Sequence, residues 1–148
     1  MTGPVIRPAQ YDDLFAVVAL ARDFHAASGV PFAFDPARFS AIASGYITAP
    51  ACLCLVLEVE GAPKGVLMAS ASMLPFAPVL AATELIFWVD PAHRGRAPRR
   101  MIAAYEDWAR DQGCAMIGLS SLNDPRVARF YGAAGFAPCD NNFLKMVD

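Results

Sequence analysis

The sequence predicts an α/β fold built on a mixed central sheet, antiparallel in its first half and completed by a parallel crossover. Three observations carry that expectation. Two strongly apolar runs, Cys52 to Glu60 and Gly65 to Met73, flank the turn-forming Gly61-Ala62-Pro63-Lys64 and read as a hairpin. A long amphipathic helix, Pro98 to Gln112, stands between two further strand-like runs and supplies the crossover. Apolar residues make up 56% of the 148 positions and charged residues 18%, a balance that buries a core and excludes a disordered chain. Residues 1–148 are read as a single domain.

Val5 to Pro8 reads as a short first strand. From Tyr11 to Ala27, Leu14, Val17, Val18, Ala21 and Phe24 recur at helical spacing, with Asp12 and Asp13 in the first turn and Gly29 as the stop. A second helix is expected over Pro36 to Tyr46, capped by Asp35 with proline at its first position. After the hairpin and the Pro75–Pro78 loop, Glu84 to Val89 has the signature of a buried strand ended by Pro91. In the crossover helix Met101, Ala104, Tyr105 and Trp108 form the core stripe, and Gly113 ends it. Ala115 to Ser120 reads as a strand, Pro125 to Ala134 as a helix closed by Gly135, and Phe136 to Val147 is expected to hold a last strand. The order is β-α-α-β-β-β-α-β-α-β, with helices flanking the sheet.

A net charge of −2 gives no global field for nucleic acid or an anionic membrane. The uncharged stretch Gly65 to Thr83 contains Pro75, Pro78, Ser70 and Ser72, which fits a strand and loop rather than a spanning helix. Cys52, Cys54, Cys114 and Cys139 form no CxxC, and neither His25 nor His93 pairs with a cysteine at metal spacing, so no metal is expected. The thiols read as reduced and the chain as cytoplasmic. Cys52 and Cys54 share a strand face and fit the core, and His25 has no carboxylate partner in view.

Four of the twelve basic residues lie in His93-Arg94-Gly95-Arg96-Ala97-Pro98-Arg99-Arg100, where a buried strand meets a helix N-terminus. Unpaired N–H groups and the positive end of the helix dipole suit phosphate there, while a solvated helix start reads the same residues without a ligand. Val89-Asp90-Pro91-Ala92-His93-Arg94-Gly95 resembles the Val-x-Pro-x-x-Arg-Gly segment of the GNAT superfamily of acetyl-CoA-dependent N-acetyltransferases, in the manner of its small single-domain bacterial or phage members. Asn123, Ala128, Phe130-Tyr131 and Gly135-Phe136 are similar to a second mark of that family, Asn-x(4)-Ala-x-x-Tyr-x-x-x-Gly-Phe, and Phe143-Leu144-Lys145-Met146 to its last strand. The likeness covers Glu84 to Val147.

The resemblance implies transfer of an acetyl group from acetyl-CoA to a primary amine by direct attack in a ternary complex. The amine belongs to a small molecule, a peptide N-terminus or a protein lysine, and a homodimer is left open. Tyr131 is similar to the family's general acid. The backbone of Phe87, Trp88 and Val89 would take the pantetheine arm and the oxyanion, and Arg94, Gly95, Arg96, Ala97, Pro98 and Arg99 would form the diphosphate loop. Ala97 and Arg99 occupy glycine positions of that loop, and Pro98 has no N–H to give. Guanidinium groups of Arg94, Arg96 and Arg99 are therefore expected to replace backbone donors. Asn123 resembles a polar contact to the cofactor arm, and a helix cap reads it equally well.

Glu84 resembles the catalytic glutamate of some members. Plain alternation puts it on the face opposite Val89, and a β-bulge would bring the two together. Asp140 is the alternative base. Phe32, Phe34, Phe39 and Tyr46 read either as walls of an acceptor pocket or as a second core. A different class of reading is a catalytically weak GNAT-fold module that senses CoA esters or binds a protein partner.

Overall fold

The computed structural model describes residues 3–147. A five-stranded sheet in the order β1-β2-β3-β4-β5 forms its centre. The strands are β1 (Val5–Pro8), β2 (Cys52–Val59), β3 (Ala62–Met73), β4 (Leu80–Val89) and β5 (Met116–Gly118), and the helices α1 (Leu14–Ser28), α2 (Pro36–Thr48), α3 (Ala97–Asp111) and α4 (Pro125–Ala133). The first four strands pair antiparallel and β5 joins β4 in parallel, as the crossover through α3 requires.

Local chemistry sets most of the boundaries. Gly29 ends α1 in the left-handed conformation. Asp35 caps α2 by accepting from the Arg38 N–H, with Pro36 in the first turn. The hairpin turn is tighter than the sequence suggests and falls at Glu60-Gly61 rather than over Gly61 to Lys64. Glu60 (φ 50°) and Gly61 (φ 82°) form a two-residue loop, because paired left-handed residues match the twist of the flanking strands. Pro63 then lies inside β3, where a register shift opposite Leu57 and Glu58 accommodates a residue with no N–H.

Alternation along the strands feeds two cores. Leu53, Leu55, Leu57, Leu67, Ala69, Ala82 and Val89 pack on one face against Met101, Tyr105 and Ala109 of α3. Cys54, Val56, Val66, Met68 and Ile86 pack on the other against Val17, Leu20 and Ala21 of α1 and Ala43 of α2. Phe34, Phe39 and Tyr46 are half-buried and pack against this second core, while Phe32 is exposed. Burial pushes the Cys54 thiol up to about 12, so it behaves as a small apolar side chain. Gly65 lies where β2, β4 and α3 converge. A Cβ there would stand 3.1 Å from Leu57 Cβ and 3.2 Å from Val89 Cγ2.

The expected last strand is absent. From Phe136 to Val147 the described chain forms no regular element, and Phe143 and Leu144 are 92% and 98% exposed. Ala137-Pro138 and Asp140-Asn141-Asn142 disfavour pairing, and β5 presents a ladder of only three residues. β5 itself is shorter than the expected Ala115–Ser120 for a reason that belongs to the site.

Candidate active site

Met68 pairs with Ile86 and Ala69 with Glu84, so Leu85 is the extra residue of a β-bulge in β4. The bulge shifts parity. Glu84 faces α3 together with Ala82, Phe87 and Val89, while Leu85 and Ile86 both face the other side. The sequence left open whether Glu84 and Val89 share a face; they do.

β4 and β5 pair only through Ala81–Met116, Ala82–Ile117 and Thr83–Gly118. Beyond that row the strands part, and three side chains take backbone groups of β5 and the residues after it. The Tyr105 hydroxyl, rising from α3, donates to the Gly118 carbonyl at 3.0 Å. The Ser120 N–H donates to Glu84 Oε2 at 3.2 Å, and the Tyr131 hydroxyl from α4 donates to the Ser120 carbonyl at 2.9 Å. These bonds take the Gly118 carbonyl and both backbone groups of Ser120, so Ser120 turns its polar groups to side chains rather than to β4. On its β5 side β4 has no strand partner from Glu84 to Val89, and the peptide groups of Phe87 to Val89 line the gap, the Val89 carbonyl taken by Arg94.

The gap is a perturbed electrostatic environment. Burial raises the Glu84 carboxyl from its ordinary 4.5 to about 7, and the hydrogen bond from Ser120 only partly offsets it. Burial first, and then the charge of Glu84, push the Tyr131 phenol well above its ordinary 10. Tyr105, buried with the same neighbour, moves in the same direction. A carboxylate balanced near neutrality beside a phenol that holds its proton is suited to moving one proton in and another out. Tyr131 is held between the rings of Phe130 (5.9 Å) and Phe136 (6.0 Å). Asp140 lies exposed in the C-terminal segment.

At the far end of β4 the chain makes a single 3-10 turn, Pro91–His93, fastened by Asp90, whose carboxylate accepts from the Ala92 N–H. Arg96 then precedes α3, whose N-terminus carries no side-chain cap. Ala97 and Pro98 are the first two residues of that helix rather than loop. Gly95 is exposed, with open space where a side chain would stand. Arg94 folds back: its Nε donates to the Val89 carbonyl at 2.8 Å and its guanidinium lies over the Trp88 ring at 4.7 Å. Trp88 itself points toward α1, edge-on to Phe24, with its indole N–H buried and without a partner among the described residues. Arg99 donates to the Ala133 carbonyl at the end of α4, and Arg100 to the Pro4 carbonyl. Arg96 is exposed and makes no side-chain hydrogen bond among the described residues.

Asn123 is exposed in the left-handed conformation (φ 58°) and does not cap α4. Asp124 does so instead, accepting from the Arg126 N–H. Sequence reasoning missed Tyr105 and Ser120. A tyrosine rather than a phenylalanine in the buried stripe of α3 was the available signal, because a buried phenol needs a partner.

The family model described as Acetyltransferase (GNAT) family matches residues 17–136. No curated protein matches the chain. Among solved structures, glucosamine-6-phosphate N-acetyltransferase from Arabidopsis thaliana superposes with a TM-score of 0.79 at 16% identity, over 99% of this chain and all of the other. AAC(6')-Iy, in complex with the bisubstrate analogue CoA-S-monomethyl-acetylneamine, gives 0.79 at 16% identity over 99% of each chain. An aminoglycoside acetyltransferase from an uncultured soil metagenomic sample, in complex with sisomicin, gives 0.75 at 15% identity over 98% of this chain and 97% of its own. At these identities the structures speak for the fold.

Proposed function

Because the chain belongs to the GNAT acetyltransferase family, we propose that it transfers an acetyl group from acetyl-CoA to a primary amine, with the chemistry in the gap between β4 and β5. The observation that carries this reading is the pair of groups on Ser120: a carboxylate raised to about 7 on its N–H and a protonated phenol on its carbonyl, beside an open strand edge.

In the proposed reaction the open peptide groups of Phe87 to Val89 hold the pantetheine arm and polarise the thioester carbonyl. Donors placed for a developing oxyanion in acyl transfer are worth about 2.7–4 kcal/mol. The amine attacks, the new C–N bond forms and the C–S bond breaks. Glu84, acting through water, takes the proton the amine must lose. Tyr131 turns its hydroxyl from the Ser120 carbonyl to the departing sulfur and gives up its proton there, so the thiol leaves neutral. The proton taken up by Glu84 then returns through water to the phenolate, restoring both groups. The uncapped start of α3, with Arg96 beside it and Arg94 and Arg99 within side-chain reach, takes the diphosphate. Arg94 exchanges its contacts with Val89 and Trp88 for phosphate oxygens, and Asn123 contacts the cofactor arm.

Calorimetric titration with acetyl-CoA, followed by turnover with a panel of amines, tests the reading. Tyr131→Phe is expected to bind acetyl-CoA as the parent does and to lose roughly 10²–10⁴-fold in turnover. Arg96→Ala is expected to weaken acetyl-CoA and desulfo-CoA equally, by about 1.5–3 kcal/mol. Full activity in Tyr131→Phe removes the phenol from the mechanism. Tight acetyl-CoA binding with no transfer to any amine would instead favour a CoA-ester sensing module.

A further inference from the structure

The helices α1 and α2 cover only part of their side of the sheet. Toward β5 the same face is exposed at Ser72, Thr83, Leu85 and Met116, with Ser70 half-buried and Ala81 buried between Ser72 and Met116. Alternation from Val66 and Met68 puts Ser70 and Ser72 on it. Cross-strand register sets Thr83 beside Ser70 and Gly118 beside Thr83, with Met116 one row below. The bulge adds Leu85. Thr83 is exposed, and Leu85 and Met116 are 43% and 54% exposed. Ser70, Thr83 and Gly118 thus form one row across three strands, flanked by two apolar side chains.

Two features tie this strip to the reaction. Thr83–Gly118 is the last pair before β4 and β5 separate, so the row borders the gap directly. The strip is also free of charge: no residue from Gly65 to Thr83 is ionisable, and Glu84 alternates to the opposite face.

We propose that this strip is the acceptor subsite, and that it selects a monoamine with a neutral, hydroxyl-bearing body over a polycationic amine. The inference rests on the acetyltransferase reading above. The Ser70 and Thr83 hydroxyls both donate and accept, which suits hydroxyl groups of the acceptor. Leu85 and Met116 cover its C–H surfaces, and Gly118 lets it approach the backbone at the mouth of the gap. A polyamine brings further ammonium groups, each of which would lose water against a surface that has no carboxylate to replace it. Nothing on the strip opposes the one amine that is deprotonated before it attacks.

Steady-state acetylation of glucosamine and of neamine by the parent, Thr83→Val and Thr83→Asp tests the assignment. Both are hydroxylated; neamine carries more ammonium groups and a second ring, and the Thr83→Asp arm reads the charge difference apart from the size difference. The parent is expected to favour glucosamine in kcat/KM by about tenfold or more. Thr83→Val keeps the β-branched shape and is expected to raise the KM for glucosamine about three- to tenfold, the loss of one hydrogen bond, with the KM for acetyl-CoA unmoved. Thr83→Asp should narrow the preference by improving neamine. Equal or better use of neamine by the parent, acetylation of neither amine, or an acceptor KM indifferent to both substitutions overturns the subsite. A parent that binds no acetyl-CoA overturns the transferase reading and the subsite with it.

Discussion

Glu84 is asked to be a base from a buried position, and its raised pKa has opposite consequences for rate and for stability. The rate at subsaturating amine should fall as pH drops through about 7, where the carboxylate takes up its proton. Glu84→Gln removes that limb. Its deficit should be greatest near neutrality and shrink at high pH, where free amine needs no base. For stability the folded chain holds the proton more tightly than the unfolded one. The parent therefore loses stability as pH rises from the ordinary 4.5 to about 7, and Glu84→Gln does not. Unfolding in urea at pH 5 and pH 8 should show the variant gaining on the parent by on the order of 2–3 kcal/mol. A pH–rate profile parallel to the parent's would leave the proton to bulk water. Tyr131 was legible in the sequence because it falls within a motif, and Glu84 through its likeness to a glutamate of some family members. Ser120 was not, since it acts through backbone groups that every residue carries, and Tyr105 was hidden in the apolar stripe that gave α3 away.

Among the elements, those with local signals were read nearly to the residue. Asp35-Pro36, Gly29 and the amphipathic pattern of α3 state their own limits, because caps, left-handed stops and helical periodicity are properties of neighbouring residues. The length of β5 and the absence of a last strand depend on contacts from β4, α3 and α4 that no local pattern contains. The convergence at Gly65 belongs to the same class. A glycine inside β3 looks like a weakness in a strand, yet the closeness of Leu57, Val89 and Met101 requires it. Gly65→Ala should cost about 1–3 kcal/mol, as overpacked cores do, and thermal denaturation will read it. An unchanged melting temperature would mean that β2 and β4 yield more easily than their close packing implies.

Across the whole molecule, one cluster of charges ties the N-terminal segment to the sheet. Arg7 on β1 meets Asp13 at 2.7 Å and Glu58 on β2 at 3.1 Å, and the Asp13 carboxylate also accepts from the Gln10 N–H. Sequence reading had placed Asp13 on the helix dipole alone. The hydrogen bond from Arg7 instead holds its carboxyl below the ordinary 3.8, against the opposing effect of burial. A depressed pKa stabilises the fold at all pH values above the ordinary one, and that contribution is lost as pH falls through the folded value. Asp13→Asn should therefore cost about 1.5–3 kcal/mol at pH 7, with parent and variant converging in acid. Equal stability at pH 7 would show that Arg7 and Glu58 suffice without it.

The brevity of the outer strands has a consequence for behaviour in concentrated solution. β1 offers four residues, ending at Pro8, which cannot donate, and β5 offers three. A foreign strand arriving at either margin finds too few free donors and acceptors to hold it, so neither margin is a template for growth. The longer unpaired run, Glu84 to Val89 of β4, lies in the gap beside β5, so the stretch on which a strand could add is the stretch the proposed cofactor would fill.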